Sequence, residues 1–264
     1  MSNKGQKKRR LRFKPLLRLL IVILIFFGVL FYLLNLDIKN IYIKGNEQIK
    51  DVEIIEKAGI KDYPKIFRVS THKMKKNIKT MPLVEDVKIK RNIFGRITIE
   101  VKERKVLFFY KYDNKYITDN GARIDNDNNY VGLPTLINFT PDTILEGLIK
   151  GLTKVDYEIL KMVNEIEYSP YKNKIGNIID NNRFILKMND LNTVYIDIPN
   201  IKNLNKYTSI IATPDMEKNK GYVYLDTYNE KIVFRSYNAV EKEKADQQKK
   251  AEEQEQEKKK ETGE

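Results

Sequence analysis

The sequence predicts an α+β protein tied to a membrane by one N-terminal helix. Three features predict it. Residues 16–36 are almost wholly apolar, and the stretch after them alternates in the order strand, helix, helix, strand, strand. From Val106 onward the chain reads mainly as strands and turns, and a charged tail closes it. A sheet with one face covered by helices is the arrangement such a pattern builds.

The apolar stretch reads LLRLLIVILIFFGVLFYLLNL. From Leu19 to Leu34 it has no charge, and the Tyr32 hydroxyl is its one polar side-chain group. Roughly 20 such residues are needed for a helix to cross about 30 Å of hydrocarbon. Arg18 and Asn35 mark the two faces, Arg18 reaching back to the headgroups along its own stem. A buried helix of a soluble protein has no need to be apolar on every side. Lys4, Lys7, Lys8, Arg9, Arg10, Arg12 and Lys14 precede the span without an acid; Asp37, Lys39 and Lys44 follow it. Basic flanks stay in the cytoplasm. The expected topology is therefore single-pass type II: 1–15 a basic cytoplasmic segment, 16–36 the transmembrane helix, the rest outside. A cleaved signal peptide fits less well, because the apolar run is long and Asn35-Leu36-Asp37-Ile38 lacks the small residues of a cleavage site.

The net charge is +13, of which +8 lies in the segment ending at Arg18 and −2 in the tail 241–264, leaving +7 between. Lys, Asn and Ile are abundant throughout, so this excess reads as general usage. With the bulk of the chain outside the cell, nucleic acid is excluded as a partner. There is no cysteine, which removes disulfides, thiolate metal sites and cysteine nucleophiles. The single histidine, His72, falls in a Lys-rich helix.

Ile41 and Ile43 alternate with Tyr42 and Lys44 as in a half-buried strand, and Gly45-Asn46 ends it. Asp51 is the expected cap of a helix carrying Ile54, Ile55 and Ala58 on one face, closed by Gly59. Phe67 and Val69 form a short apolar piece. Ser70 is the expected cap of a second helix, with Met74, Ile78 and Met81 inward and Pro82 as its stop. Val87 and Ile89 then alternate with lysines, and Ile97, Ile99 and Val101 with Thr98, Glu100 and Lys102. Asn92-Ile93-Phe94-Gly95 joins these two strands as a hairpin.

Placed directly after a single anchor, this order resembles a POTRA (polypeptide-transport-associated) module. The run from Pro82 through Val84 and Val87 to Arg91, followed by Ile97 to Val101-Lys102-Glu103-Arg104, resembles the FtsQ/DivIB family of bacterial division proteins. In that family the second strand follows "P-x-V" and the third ends in "V-x-E-R-x-P". Val106 stands here where the proline is usual. The expected POTRA domain covers 37–105.

Residues 106–240 are expected to form a mostly antiparallel β domain with flanking helices. Val106 opens a continuous apolar strand that runs to Tyr110. Tyr116-Ile117-Thr118 and Ala122-Arg123-Ile124 flank Asp119-Asn120-Gly121, a hairpin signal. Leu133-Pro134-Thr135-Leu136 resembles the family's "L-P-x-L". Leu145, Leu148, Ile149 and Leu152 have helical spacing, as do Val155, Ile159, Met162, Val163 and Ile166. Phe184, Leu186 and Met188 alternate, turn at Asn189-Asp190, and are answered by Val194 and Ile196. Ile201, Leu204 and Tyr207 suggest a last helix ending before Pro214. Gly221 opens a strand from Tyr222 to Leu225, and Lys231 to Phe234 pairs back across Asn229-Glu230. The Gly221 strand resembles the family's "G-x-I-D-L".

No catalytic set emerges, so no enzyme, cofactor or metal is expected. Asp125-Asn126-Asp127-Asn128-Asn129 opens like a calcium loop but has Tyr130 and Leu136 where glycine and glutamate are required, and reads as a surface loop. The tail 241–264 has only Ala245 and Ala251 as apolar side chains, too few to fold alone, and is expected to be disordered or a frayed solvated helix. The resemblance implies a non-catalytic scaffold of the division septum. Its implied partners are FtsL, DivIC or FtsB-type proteins, the septal penicillin-binding protein and its synthase partner. An exposed sheet edge offers unpaired N–H and C=O groups to a partner strand. The expected edge is the final hairpin, with Tyr222, Tyr224, Asp226, Tyr228, Ile232, Phe234 and Arg235 as candidate contacts. The alternative is an anchored export or assembly chaperone. Such proteins usually carry several POTRA copies or a barrel, and neither is seen here.

Overall fold

A computed structural model describes residues 13–126, 130–173, 175–214, 218–227 and 231–261, with backbone only over 254–261. The basic segment 1–12, Asp127 to Asn129, Tyr228 and the Asn229-Glu230 turn lie outside the described residues. The chain divides into two compact units between Glu103 and Arg104.

The first unit begins with helix α1, Phe13–Asn35, none of whose residues is buried. It starts three residues before the expected span and ends one before it. Leu36 is buried and belongs to the folded part, where its carbonyl accepts from Ile66 N at 2.8 Å. Strand β1 (Asn40–Lys44), helices α2 (Asp51–Ala58) and α3 (Thr71–Ile78), and strands β2 (Val84–Arg91) and β3 (Arg96–Glu103) follow in the predicted order. β3 is central, parallel to β1 and antiparallel to β2. Ile54, Ala58, Met74 and Ile78 of the helices are buried, as are Val87, Ile97, Ile99 and Val101 of the strands. Gly59 closes α2 at φ 71°, a conformation that costs glycine little, and Ser70 Oγ accepts from Lys73 N at the start of α3.

Two details differ from the sequence reading. Asp51 is the first helical residue rather than the cap; Lys50 sits at the cap without a side-chain bond. Asn46 Nδ2 instead donates to Asp51 Oδ1 and Ile49 O, both at 2.8 Å, and fixes the turn from within. The buried residues between the helices are Ile60 and Ile66, while Phe67 stays half-exposed beneath the Arg91 guanidinium at 5.1 Å.

The second unit is built on one nine-stranded sheet. Its strands are β4 (Val106–Tyr110), β5 (Lys115–Thr118), β6 (Arg123–Asp125), β7 (Thr135–Leu136), β8 (Val163–Tyr168), β11 (Arg183–Met188), β12 (Thr193–Asp197), β13 (Gly221–Tyr224) and β14 (Val233–Ser236). The spatial order is β14-β13-β12-β11-β8-β7-β4-β5-β6; β9 (Tyr171–Lys172) and β10 (Ile178–Asp180) pair separately. Five of the eight pairings in the large sheet are antiparallel and three parallel. Helix α4 (Asp142–Leu152), short helix α5 (Tyr157–Leu160), a 3-10 turn (Ile201–Lys206) and helix α6 (Tyr207–Ile211) contribute Leu148, Leu152, Leu160, Leu204 and Tyr207 to a core shared with Phe108, Ile166, Phe184, Val194 and Val223. A Cβ on Gly151 of α4 would lie 2.5 Å from Ile201 Cγ2, so this contact needs glycine.

The expected helix from Val155 to Ile166 is a correction. Only α5 is helical, and Val163 and Ile166 lie in β8. Against β11 the register slips at this point, Met188 facing Val163 and Lys187 facing Glu165. The extra residue of a bulge turns two side chains three apart to the same face, which mimics helical spacing. The last strand is also shifted: β14 starts at Val233, not Lys231. The tail takes the helical one of its two expected forms. Helix α7, Tyr237–Glu261, begins in the residue after β14, so the structured chain seeds it, and Ser236 Oγ accepts from Ala239 N in its first turn. Its described side chains after Val240 are exposed, as the composition requires.

Candidate functional site at the last strands of the large sheet

The end of the sheet is fixed by a buried polar cluster. Leu191, in the β11–β12 turn, has φ +74°. Asn192, beside it, is buried; its Nδ2 donates to Tyr207 Oη at 3.1 Å and its Oδ1 accepts from Gly221 N at 3.0 Å. Tyr207 Oη donates to Asp190 at 2.9 Å, and burial pushes this hydroxyl's pKa far up. The first residue of β13 is thereby bonded to the turn beside it. Gly221 is needed there, because a Cβ would lie 2.2 Å from Arg235 O on β14.

β13 alternates strictly. Val223 and Leu225 join Val194 and Ile196 in the core. Tyr222 and Tyr224 take the other face of the sheet with Tyr195 of β12. Tyr195 and Tyr224 stack at 4.9 Å with planes 11° apart, and Tyr237 of α7 meets Tyr222 edge-on at 4.7 Å. The Tyr237 hydroxyl donates to Leu191 O at 3.0 Å and lies 2.9 Å from Thr193 Oγ1. Arg183 lies against this group, its guanidinium 4.4 Å from the Tyr195 ring centre and 5.2 Å from that of Tyr171. Arg183 Nε donates to Asp226 Oδ2 at 2.7 Å. Burial raises the pKa of the Tyr195 and Tyr224 hydroxyls, so they remain neutral donors at neutral pH. Burial likewise raises that of the Asp197 carboxyl, with Asp180 and Asp226 adding to the effect.

β14 is one end of the nine-stranded order. Tyr237 N donates to Lys220 O at 3.0 Å. Antiparallel pairs alternate, so Arg235 with Tyr222 and Val233 with Tyr224 are the hydrogen-bonded pairs. Phe234 consequently turns its N–H and C=O away from β13, toward the open edge.

The candidate residues therefore separate. Tyr222, Tyr224 and Arg235 share one face, and the Arg235 guanidinium pairs with Glu243 of α7. The Phe234 side chain is on the opposite face, packed against the core, and contributes only backbone to the edge. Asp226 is occupied by Arg183, Ile232 precedes the strand, and Tyr228 lies outside the described residues. Sequence reasoning missed Tyr195, Tyr171, Tyr237 and Arg183. The alternation Val194-Tyr195-Ile196 was a usable signal for Tyr195; Tyr237 was hidden by its position at the edge of the polar tail.

Aromatic, partly exposed and free of nucleophile chemistry, this surface has the composition of a protein-recognition patch. Comparison with known proteins gives it a context. Residues 36–104 match the POTRA domain, FtsQ-type. Cell division protein DivIB of Clostridium acetobutylicum is 32% identical over 190 residues, covering 70% of this chain and 70% of that protein. The DivIB of Clostridium botulinum is 28% identical over 230 residues, covering 82% and 89%. The extracytoplasmic domain of the division protein from Geobacillus stearothermophilus aligns with 43% of this chain and 96% of its own at 19% identity, with a TM-score of 0.35, too weak an overlap to carry weight. On the extent and identity of the Clostridium match, with the POTRA domain directly behind the apolar helix, the chain belongs to the DivIB family of cell division proteins.

Proposed function

We propose that this division protein is a membrane-anchored adaptor that works outside the cytoplasm by binding other proteins and catalyses no reaction. Its working parts in this reading are the cytoplasmic segment 1–15, the span 16–36, the POTRA domain 37–105, the β domain 106–240 and the tail. The observation that carries the reading is the edge of β14, where Phe234 turns its N–H and C=O outward, unpaired among the described residues, beside the tyrosine face. An extended partner segment adding there completes the ladder with main-chain bonds and takes its specificity from alternate side chains. Tyr222 and Tyr224 supply stiff contact area at small entropic cost. The partners in this reading are FtsL, DivIC or FtsB-type proteins, and through them the septal penicillin-binding protein and its synthase partner, assembled at the division septum.

The test uses the full chain in cells. A photoreactive residue replacing exposed Arg235 is expected to cross-link to coiled-coil division proteins; the same residue at exposed Lys150 of α4 is not. Tyr224→Asp is expected to weaken the cross-link, and a fluorescent fusion to collect at mid-cell. An even peripheral signal with no cross-link from position 235 overturns the adaptor reading.

A further inference from the structure

Another surface lies in the first unit, next to α1. The β2–β3 hairpin ends in Asn92-Ile93-Phe94-Gly95, and its two apolar side chains point into open space: Ile93 is 56% and Phe94 73% exposed. The tip is rigid. Asn92 Oδ1 accepts from Phe94 N and Arg96 N, both at 3.0 Å. Gly95, at φ +85°, approaches the chain leaving α1 so closely that a Cβ would lie 2.7 Å from Asp37 O. Gly95 O accepts from Lys39 N at 2.7 Å.

Single exposed apolar residues are ordinary; the position of this pair is not. Lys39 is four residues past the end of α1, so the tip is held within about 14 Å of that end, the most four residues can span. α1 is about 34 Å long by its rise per residue. The hydrocarbon core is about 30 Å thick with headgroups extending roughly 5–8 Å beyond each face, so the end of α1 emerges among them. Lys39, Arg91 and Arg96 flank the tip and are exposed, Arg91 also donating to Ile66 O and Val69 O, with Asp37 already held by Lys65 at 2.8 Å. Arg68 Nη2 reaches Asn35 Oδ1, the last residue of α1. Apolar residues at a tip, ringed by cations at headgroup depth, form an interfacial lipid contact.

We propose that this hairpin tip is a second membrane contact. Ile93 and Phe94 enter the boundary between headgroups and acyl chains of the leaflet from which α1 emerges, and the surrounding Arg and Lys side chains pair with anionic lipid phosphates. The POTRA domain is then held to the bilayer at two points and cannot swivel freely on one helix. The inference rests on α1 spanning the membrane.

The chain contains no tryptophan, so one introduced residue reports alone. Full-length Phe94→Trp, Ile93→Trp, Val52→Trp and Phe26→Trp variants are reconstituted in phosphatidylcholine–phosphatidylglycerol vesicles, with and without lipid brominated at shallow or deep acyl positions. Val52, 61% exposed on α2, lies beyond the far end of β1 from the tip and is the reference for water. Expected are blue-shifted emission from positions 93 and 94, its loss with shallow bromine, and no loss at position 52. Positions 93 and 94 both matching position 52, while Phe26→Trp is quenched by deep bromine, overturn the contact and leave the anchor standing. An unquenched Phe26→Trp overturns the anchor itself. Quenching at position 94 is expected to weaken in pure phosphatidylcholine; equal quenching there overturns the role assigned to the basic side chains.

Discussion

Glu103, the last residue of β3, reaches across to the loop that precedes α2. Its Oε2 accepts from Gln48 N and its Oε1 from Ile49 N, both at 2.9 Å. This one carboxylate ties together residues more than fifty positions apart and fixes the loop that leads into α2. Glu103→Ala removes both acceptors. The Gln48 amide is exposed and regains water, while Ile49 is buried and its N–H is left without a partner. An orphaned N–H of this kind costs about 1–3 kcal/mol, so a loss of about 2 kcal/mol is expected locally. At 1.4 kcal/mol per factor of ten, that raises amide exchange at Gln48 and Ile49 about 30-fold. Glu103→Gln keeps one oxygen within reach of both amides and is expected to lose roughly half as much free energy. Hydrogen exchange on the full chain in lipid nanodiscs reads this directly, with the β13–β14 amides as internal reference. Exchange at positions 48 and 49 that stays within about threefold of the parent would refute the claim that the carboxylate holds this loop.

Two other perturbations follow from the described contacts. Arg183 and Asp226 are only 15% and 14% exposed, so Asp226→Ala strands a largely buried cation; a loss of about 2–3 kcal/mol is expected in denaturant melts, most of it recovered by Arg183→Met with Asp226→Leu, and no recovery would mean the pair is not the source. Asp86 is held well below the usual carboxylate range by hydrogen bonds from Lys79 at 2.7 Å and Lys75 at 3.2 Å. A depressed folded value stabilises above the unfolded pKa of about 4 and is lost as pH falls toward the folded value. The first unit should therefore weaken below about pH 4, and Asp86→Asn should flatten that part of the curve; parallel acid-unfolding curves would exclude the contact as a contributor.

Much of the fold was legible because short-range rules fixed it. Gly59 and Ser70 end and start helices through bonds spanning a few residues, and alternation at Ile97, Ile99 and Val101 identifies β3 without reference to its partners. What resisted reading depends on distant parts of the chain. The bulge opposite Met188 gave Val163 and Ile166 a helical spacing inside a strand. Asp51 looked like a cap because the two groups that organise its loop, Asn46 and Glu103, lie outside the helix pattern. The site was half visible. Tyr222 and Tyr224 stood out, but Phe234 lies opposite Val223 and shares its core face, so only its backbone reaches the edge. Arg183 and Tyr195 came to the site only because β11 and β12 lie beside β13. The tail's composition left disorder and a solvated helix both open, since nothing in its own residues records the strand that precedes its first turn.

Strand order also sets a timetable. In the large sheet β5 joins β4, β6 joins β5, β7 joins β4, and β8, β11, β12, β13 and β14 each lie against a strand already synthesised. Like a wall laid outward in both directions from a first brick, β4, this sheet grows as the ribosome delivers it, and each new strand meets one already made. β1 obeys the opposite rule: its partner, β3, arrives about fifty residues later, so the N-terminal strand spends that interval without a mate. β14, the last strand among the described residues, thus leaves the growing end of the sheet ready for a strand from another chain.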